Sequence, residues 1–264
     1  MIDTIYIPTL GRSHNQITFD NMTLNAQRVT RLVVQPKEQH LYPNYPISVL
    51  PDNDIGITAT RKWIWEQGKD KRYMVMDDDS KMACRKPWHD GEKTKRAMTE
   101  EDWHHMLTET SKWMDKGIAW GGCRTGGLPP AGKEYIDNTG CAEVFFFDGK
   151  QLPSADELDW DLSTAEDISL SLQLLSKGYP NRVFDRFCYL SDFVGTSGGC
   201  LDMGRNMDMI NNNHAKLIEK FPEYVSWNGE KEIRGETMKK IKIMYKKAYL
   251  DSQKSKASLE NFMS

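Results

Sequence analysis

The segment YMVMDDDS (73–80) carries the sharpest chemistry in the chain. An apolar run delivers three carboxylates, Asp77, Asp78 and Asp79, to one point. In extended backbone, residues i and i+2 project the same way, so Asp77 and Asp79 can face one site while Asp78 points elsewhere. Two carboxylates held that close repel unless a cation lies between them. A hard divalent ion, Mn²⁺ or Mg²⁺, resolves the repulsion, with a substrate phosphate completing its shell. An isolated acidic triplet is as readily a solvated turn. The apolar lead-in tilts the reading to a metal site with Asp77 and Asp79 as ligands.

Three further segments carry chemistry-bearing residues. Glu166 and Asp167 stand where a helix should begin, and one of them could orient or deprotonate a hydroxyl. Acids in a first helical turn are also favoured by the helix dipole alone. Pro8-Thr9-Leu10-Gly11-Arg12-Ser13 follows the first apolar run, and small residues with an Arg there suit a nucleotide or its phosphates. The same residues could form an ordinary strand-to-helix turn. Asp54-Ile-Gly-Ile-Thr-Ala-Thr-Arg61 opens another helix, where Arg61 could reach a pyrophosphate or lie on a solvated face.

These residues need a frame. Apolar runs at 2–8, 31–35, 47–50, 73–76, 118–122, 141–148 and 182–193 read as strands. Helices are expected at 18–28, 55–68, 100–116, 164–177 and 207–220. Thr99 with Asp102 makes a capping-box start for the third of them, and Ser163 or Thr164 opens the fourth. The polar, basic segment 80–98 reads as a loop and 251–264 as a frayed tail. Strands alternating with helices argue for a layered α/β domain with a mixed, mostly parallel sheet flanked by helices. Open sheets of that kind bind ligands at the C-terminal ends of their strands, where the acidic triplet falls.

The order and spacing of IYIPTLGR, GITATRKWIW, YMVMDDDS, WGGCRTGG and AEDISLSLQLLSKGY resemble the GT-A fold glycosyltransferases that use nucleotide-sugar donors. Within that fold the motifs look most like the TET-associated glycosyltransferases of bacteriophages, similar proteins thought to glycosylate hydroxymethylated pyrimidines in DNA. The resemblance covers about residues 1–193. It implies that Pro8, Thr9, Gly11, Arg12, Asp54, Arg61, Asp78, Gly121 and Gly122 bind the donor, a UDP-sugar. It implies Asp77 and Asp79 as ligands of Mn²⁺ or Mg²⁺, and Asp167 or Glu166 as the group acting on the acceptor. Such enzymes often add a late His to the metal, and His214 is the one available after position 105; it could equally be a polar residue on a surface helix. The Gly-rich segment 195–200 is a candidate for closing the donor site.

Charge adds a partner. The chain of 264 residues has a net charge of −3, which argues against a basic, histone-like protein. Residues 231–256 nevertheless hold nine basic and three acidic side chains. Ile241, Met244, Tyr245 and Ala248 fall at helical spacing, so the stretch reads as a basic amphipathic helix for DNA, for an acidic membrane surface, or for docking on the domain. The expected division is a GT-A-like domain at 1–225 and a basic helical extension with a polar tail at 226–264. The basic segment 81–96, with Trp88 among its Lys and Arg, is a second DNA candidate.

Other chemistry is less favoured. Five scattered cysteines make no zinc or disulfide pattern and fit a reducing cytoplasm, host cytoplasm if the chain is phage-encoded. His104 and His105 lack the spacing of a metal pair. No segment has the length and apolarity of a membrane span, and the first residues lack a signal peptide's basic start. The expected activity is metal-dependent transfer of a sugar to a hydroxyl, with 5-hydroxymethylpyrimidine in DNA as acceptor. A glycan or protein acceptor, a metal-dependent nucleotidyltransferase or nuclease, and a non-catalytic DNA-binding module are the alternatives.

Overall fold

A computed structural model of the chain describes residues 1–191, 206–233 and 235–263. Its strands are β1 (Thr4–Pro8), β2 (Thr30–Val34), β3 (Ile47–Val49), β4 (Arg72–Met76), β5 (Lys81–Arg85), β6 (Lys95–Ala97), β7 (Trp120–Thr125), β8 (Tyr135–Asp137), β9 (Val144–Asp148), β10 (Asn181–Leu190), β11 (Val225–Ile233) and β12 (Glu236–Ile243). Its helices are α1 (Ile17–Asp20), α2 (Leu24–Arg28), α3 (Ile57–Gln67), α4 (Glu100–Asp115), α5 (Glu166–Ser176), α6 (Met207–Lys220) and α7 (Tyr245–Met263).

Ten strands form one mixed sheet in the order β3-β2-β1-β4-β9-β7-β10-β5-β6, with β8 pairing β10. The β3-β2-β1-β4 half is parallel, and β9 enters antiparallel between β4 and β7. Strand alternation splits the core into two layers. Ile5, Ile7, Met74, Met76 and Phe146 pack on one face with Trp103, Met106 and Trp113 of α4. Tyr6, Tyr73, Val75, Phe145 and Phe147 pack on the other with α3 and α5. Nearly every residue of β4 and β9 is buried, as a strand covered on both faces requires.

The capping box at α4 forms as the sequence predicts, with Asp102 N–H donating to Thr99 Oγ1 at 3.3 Å and Thr99 N–H donating to Asp102 at 2.9 Å. Three expectations need correction. Segment 80–98 is not a loop but the β5–β6 hairpin, because Met82, Ala83 and Cys84 are a buried run hidden among charged neighbours. The stretch 231–256 is not one helix. Its first part pairs as the β11–β12 hairpin, turning at Gly235 with φ 80°, and only from Tyr245 is it helical. Ile241 and Ile243 recur with period two, and that strand signal prevails over the helical spacing to Met244 and Ala248. The expected frayed tail is helix, since α7 runs to Met263.

Candidate active site

β4 ends in the core at Met76 and hands over directly to the acidic turn. Two elements cradle that turn. On one side Thr18 Oγ1 donates to the Asp77 carbonyl at 2.6 Å, and Thr18 N–H donates to the Asp78 carbonyl at 3.0 Å. On the other, Asp77 N–H donates to the Glu143 carbonyl at 2.9 Å, and Ser80 Oγ donates to the Glu143 carboxylate at 2.8 Å. Pinned at both peptides, the triplet cannot swing freely, and its three side chains separate by environment.

Asp78 is buried, accepting from Thr9 Oγ1 at 2.8 Å and pairing with the Arg12 guanidinium. Asp79 also pairs with Arg12, at 3.1 Å. Asp77 pairs with Arg61 at 2.7 Å. The side chains of Asp77 and Asp79 stay 30% and 27% exposed, so both keep an accessible face. The backbone turns at Asp78 and Asp79, so both reach Arg12 while Asp77 reaches Arg61, which differs from the simple alternation of an extended strand.

Arg61 ties the two acidic motifs together. It lies on the buried face of α3, over the Phe145 ring at 5.5 Å, and its other nitrogen sits 3.1 Å from Glu166. Burial works against its charge, yet Asp77, Glu166 and Asp167 raise its pKa. Arg61 therefore does not lie on a solvated helix face. Arg12 is likewise buried, and Asp78 and Asp79 outweigh the cost of that burial.

The helix opening at 164–167 is built unusually. Ala165 occupies the left-handed region at φ 62°, and no side chain caps α5. Ser163 and Thr164 instead accept from Asn213 Nδ2 of α6, at 3.1 and 2.7 Å. The result points Glu166 at Arg61, while Asp167 makes no ion pair among the described residues. One Asp167 oxygen accepts the Ile168 N–H at 2.8 Å.

Glu143 is the member that sequence reasoning missed. It stands at φ 57°, a strained setting for a residue with a Cβ, just ahead of β9. Its carboxylate accepts from Ser80 and from Ser191 Oγ, the latter at 2.9 Å. Burial, then the charge of Asp77, pushes its pKa up to about 7. A lone Glu before an apolar run carries no motif, so only the fold shows where it points. Burial likewise raises Asp78 to about 7 against the pull of Arg12, and raises Asp77 and Glu166.

Four carboxylates, Asp77, Asp78, Asp79 and Glu166, thus pair with two guanidiniums, and Glu143 and Asp167 stand by without an arginine ion pair among the described residues. That surplus of hard oxygen donors is the environment a divalent cation relieves. Among the described residues no group of three or more His, Cys, Asp or Glu side chains could hold a metal unaided. Asp77 and Asp79, each with an exposed face, are the residues that would hold such an ion, with a substrate supplying its remaining ligands.

Other expected site residues lie apart or do other work. Asp54 pairs with Lys37 in an exposed loop. Gly121 and Gly122 are buried in β7, where a Cβ would fall 2.1 Å from the Arg182 carbonyl oxygen and 2.2 Å from that of Val144, so they permit close strand packing. His214 donates from Nδ1 to the Lys239 carbonyl at 2.8 Å, fastening α6 to β12. Pro8 closes β1, and the Gly11 N–H donates to Glu38 at 3.0 Å. Segment 195–200 lies outside the described residues. The basic segment 81–96 is largely used internally: Arg85 donates to the Leu128 and Thr125 carbonyls, Lys95 to Gly126, and Arg96 pairs with Asp102. Trp88 is half-buried against the core. It lines a cavity of about 360 Å³ with His104, His105 and Arg186, separate from the acidic turn. Cys84, Cys123, Cys141 and Cys188 are buried thiols, as small hydrophobes would be.

Residues 4–199 match the model of the TET-associated glycosyltransferase family, and the chain belongs to that family. It is a glycosyltransferase. It is similar to the beta-glucosyl-HMC-alpha-glucosyl-transferase of Enterobacteria phage T2, at 23% identity over 74% of this chain and 73% of that protein. The protein of the same name from phage T6 is also 23% identical, over 74% of both chains. Among solved structures, S. aureus TarS 1–349 in complex with UDP-GlcNAc aligns with 83% of this chain and 67% of its own, at 13% identity and a TM-score of 0.47. Among the described residues no helix is long and apolar enough to cross a membrane.

Proposed function

We propose that this glycosyltransferase moves a sugar from a UDP-sugar to a hydroxyl on a 5-hydroxymethylpyrimidine of DNA, with Mn²⁺ or Mg²⁺ held by Asp77 and Asp79. The observation that carries it is the union of both acidic motifs through Arg61, with a surplus of carboxylate around the open faces of Asp77 and Asp79. When bound, the cation neutralises charge growing on the leaving diphosphate. Arg61 and Arg12 hold the acidic turn in place for it. Glu166 is committed to Arg61, so Asp167 is the group left to accept the acceptor's proton. The relatives' names support a DNA-base acceptor, since both act on β-glucosyl-HMC. An already glucosylated base is therefore the second acceptor to try.

The test incubates the protein and Mn²⁺ with a panel of UDP-sugars. The acceptors are duplexes carrying cytosine, 5-hydroxymethylcytosine or its β-glucosylated form. Digestion to nucleosides and mass spectrometry then read the product. One added sugar on a hydroxymethylated base, abolished by EDTA, is the expected result. Transfer that persists in EDTA removes the metal, and no product on any duplex removes the acceptor.

A further inference from the structure

The β11–β12 hairpin is a ribbon with a pattern of exposure unlike the rest of the molecule. Val225 is buried at its base, while residues 226–232 are exposed along both faces of β11. The β12 edge is covered, because Asn211 of α6 exchanges hydrogen bonds with the Thr237 carbonyl and the Lys239 N–H, at 3.0 and 2.8 Å, and His214 takes the next carbonyl. The ribbon is therefore held along its β12 edge, with Ile241 and Ile243 packed on the core, and leaves β11 from Ser226 to Glu232 and the Lys239 and Lys242 side chains to solvent, with Lys240 half-exposed.

That exposed surface is basic. Alternation along β12 puts Lys240 and Lys242 on one face and Lys239 on the other. Lys246 and Lys247 follow in the first turn of α7. Lys240, Lys242 and Lys246 make no ion pair among the described residues, although the site nearby is acidic. Trp227 is 47% exposed, with Lys239 Nζ 5.8 Å from its ring centre. The acids of the ribbon, Glu230, Glu232 and Glu236, all lie toward its far end.

The near end runs into α7, which packs along α5, the helix that Glu166 and Asp167 open. Tyr245 opens α7 with its ring against Gly140, where a Cβ would fall 2.6 Å from its hydroxyl, and burial followed by the charge of Asp167 raises its pKa. A nucleic acid running along the ribbon would therefore reach the acidic cluster at its base. A two-stranded ribbon is an element the roughly 12 Å major groove admits, and nine residues of strand span about 30 Å. Resting on the DNA acceptor proposed above, we propose that the β11–β12 ribbon and the start of α7 form the acceptor-DNA surface, with Lys240, Lys242 and Lys246 on phosphates and Trp227 against a base.

The test measures binding of the full chain to a labelled hydroxymethylcytosine duplex by fluorescence anisotropy across a salt series. The variants are the triple K240A/K242A/K246A and Trp227→Ala. The triple variant is expected to bind more than about tenfold more weakly at low salt, with a salt slope shallower by roughly two to three, since each phosphate no longer neutralised removes about 0.9. Its melting temperature and its response to UDP stay as in the wild type. Trp227→Ala is expected to lose roughly tenfold with the slope unchanged. If wild type and triple variant bind and glycosylate the duplex equally, the ribbon is overturned and the DNA acceptor stands. If the wild type itself neither binds nor glycosylates the duplex, the acceptor reading fails and takes the ribbon with it.

Discussion

Two buried arginine–carboxylate clusters in this molecule are built to opposite charge balance. At the edge of β7 and β10, Asp185 is fully buried and accepts from Arg124 at 3.0 Å and from the Ala131 N–H at 2.6 Å, with Arg85 at 3.9 Å. One acid there answers two guanidiniums, and Arg85 also ties down two carbonyls. At the end of β4, two guanidiniums pair with four acids, and Glu143 and Asp167 stand by without an arginine ion pair among the described residues. The first cluster uses its charge to hold backbone in place. The second leaves charge uncompensated, a cost to the folded state that a cation or a cationic transition state can recover.

That difference can be broken most sharply by removing acid from each side. Asp79→Ala or Asp77→Asn should lower transfer by about 10²-fold or more, with a melting temperature equal to or above wild type. Asp185→Ala should do the reverse. It leaves buried Arg85 and half-buried Arg124 without their carboxylate, and losses of up to about 3–5 kcal/mol follow removal of one partner from a buried pair. Urea unfolding reads that loss, while the protein that remains folded keeps its turnover. Equal destabilisation by both substitutions would erase the distinction.

pH sharpens the comparison. Burial holds Asp78 and Glu143 up at about 7, well above an ordinary carboxylate. Between about pH 4 and 7 the folded state keeps protons that the unfolded chain has lost, so stability without metal falls as pH rises through that window and levels off above it. Melting temperatures taken from about pH 5 to 8 in EDTA should decline, and Mn²⁺ should restore most at the alkaline end. A flat profile would mean that the surplus charge is already screened.

Smaller effects concern the supports. Glu143→Ala removes the acceptor for Ser80 and Ser191 and should cost about 1–2 kcal/mol in urea unfolding, much of it recovered in Glu143→Gln, which can still bond both hydroxyls. His214→Ala should cost about 1 kcal/mol and leave the Mn²⁺ dependence of transfer unchanged, because its ring serves β12. A change in metal affinity would return His214 to the site.

Much of this was legible in the sequence where period and motif agreed. The β4 run ending in three acids, the capping box at Thr99 and the helix carrying Arg61 all lie where patterning puts them. What patterning could not show was partnership. Nothing in the sequence says that Arg61 faces Glu166, or that Glu143 lies behind the acidic turn, since both pairings join residues far apart in the chain. The basic C-terminal stretch was misleading for a different reason. Its apolar residues fit period two and period 3.6 almost equally, and Gly235 and the edge offered by α6 decide for the hairpin. Gly121 and Gly122, expected at the donor site, lie in the predicted strand with carbonyl oxygens where a Cβ would be.

The most direct test of the acidic cluster is a thermal melt with UDP, in Mn²⁺ and in EDTA, on wild type and Asp77→Asn. A ligand that binds only the folded state raises its melting point by mass action. A metal site at Asp77 and Asp79 predicts a rise with UDP and Mn²⁺ that disappears in EDTA and in Asp77→Asn. An equal rise in EDTA, or in the variant, would contradict it.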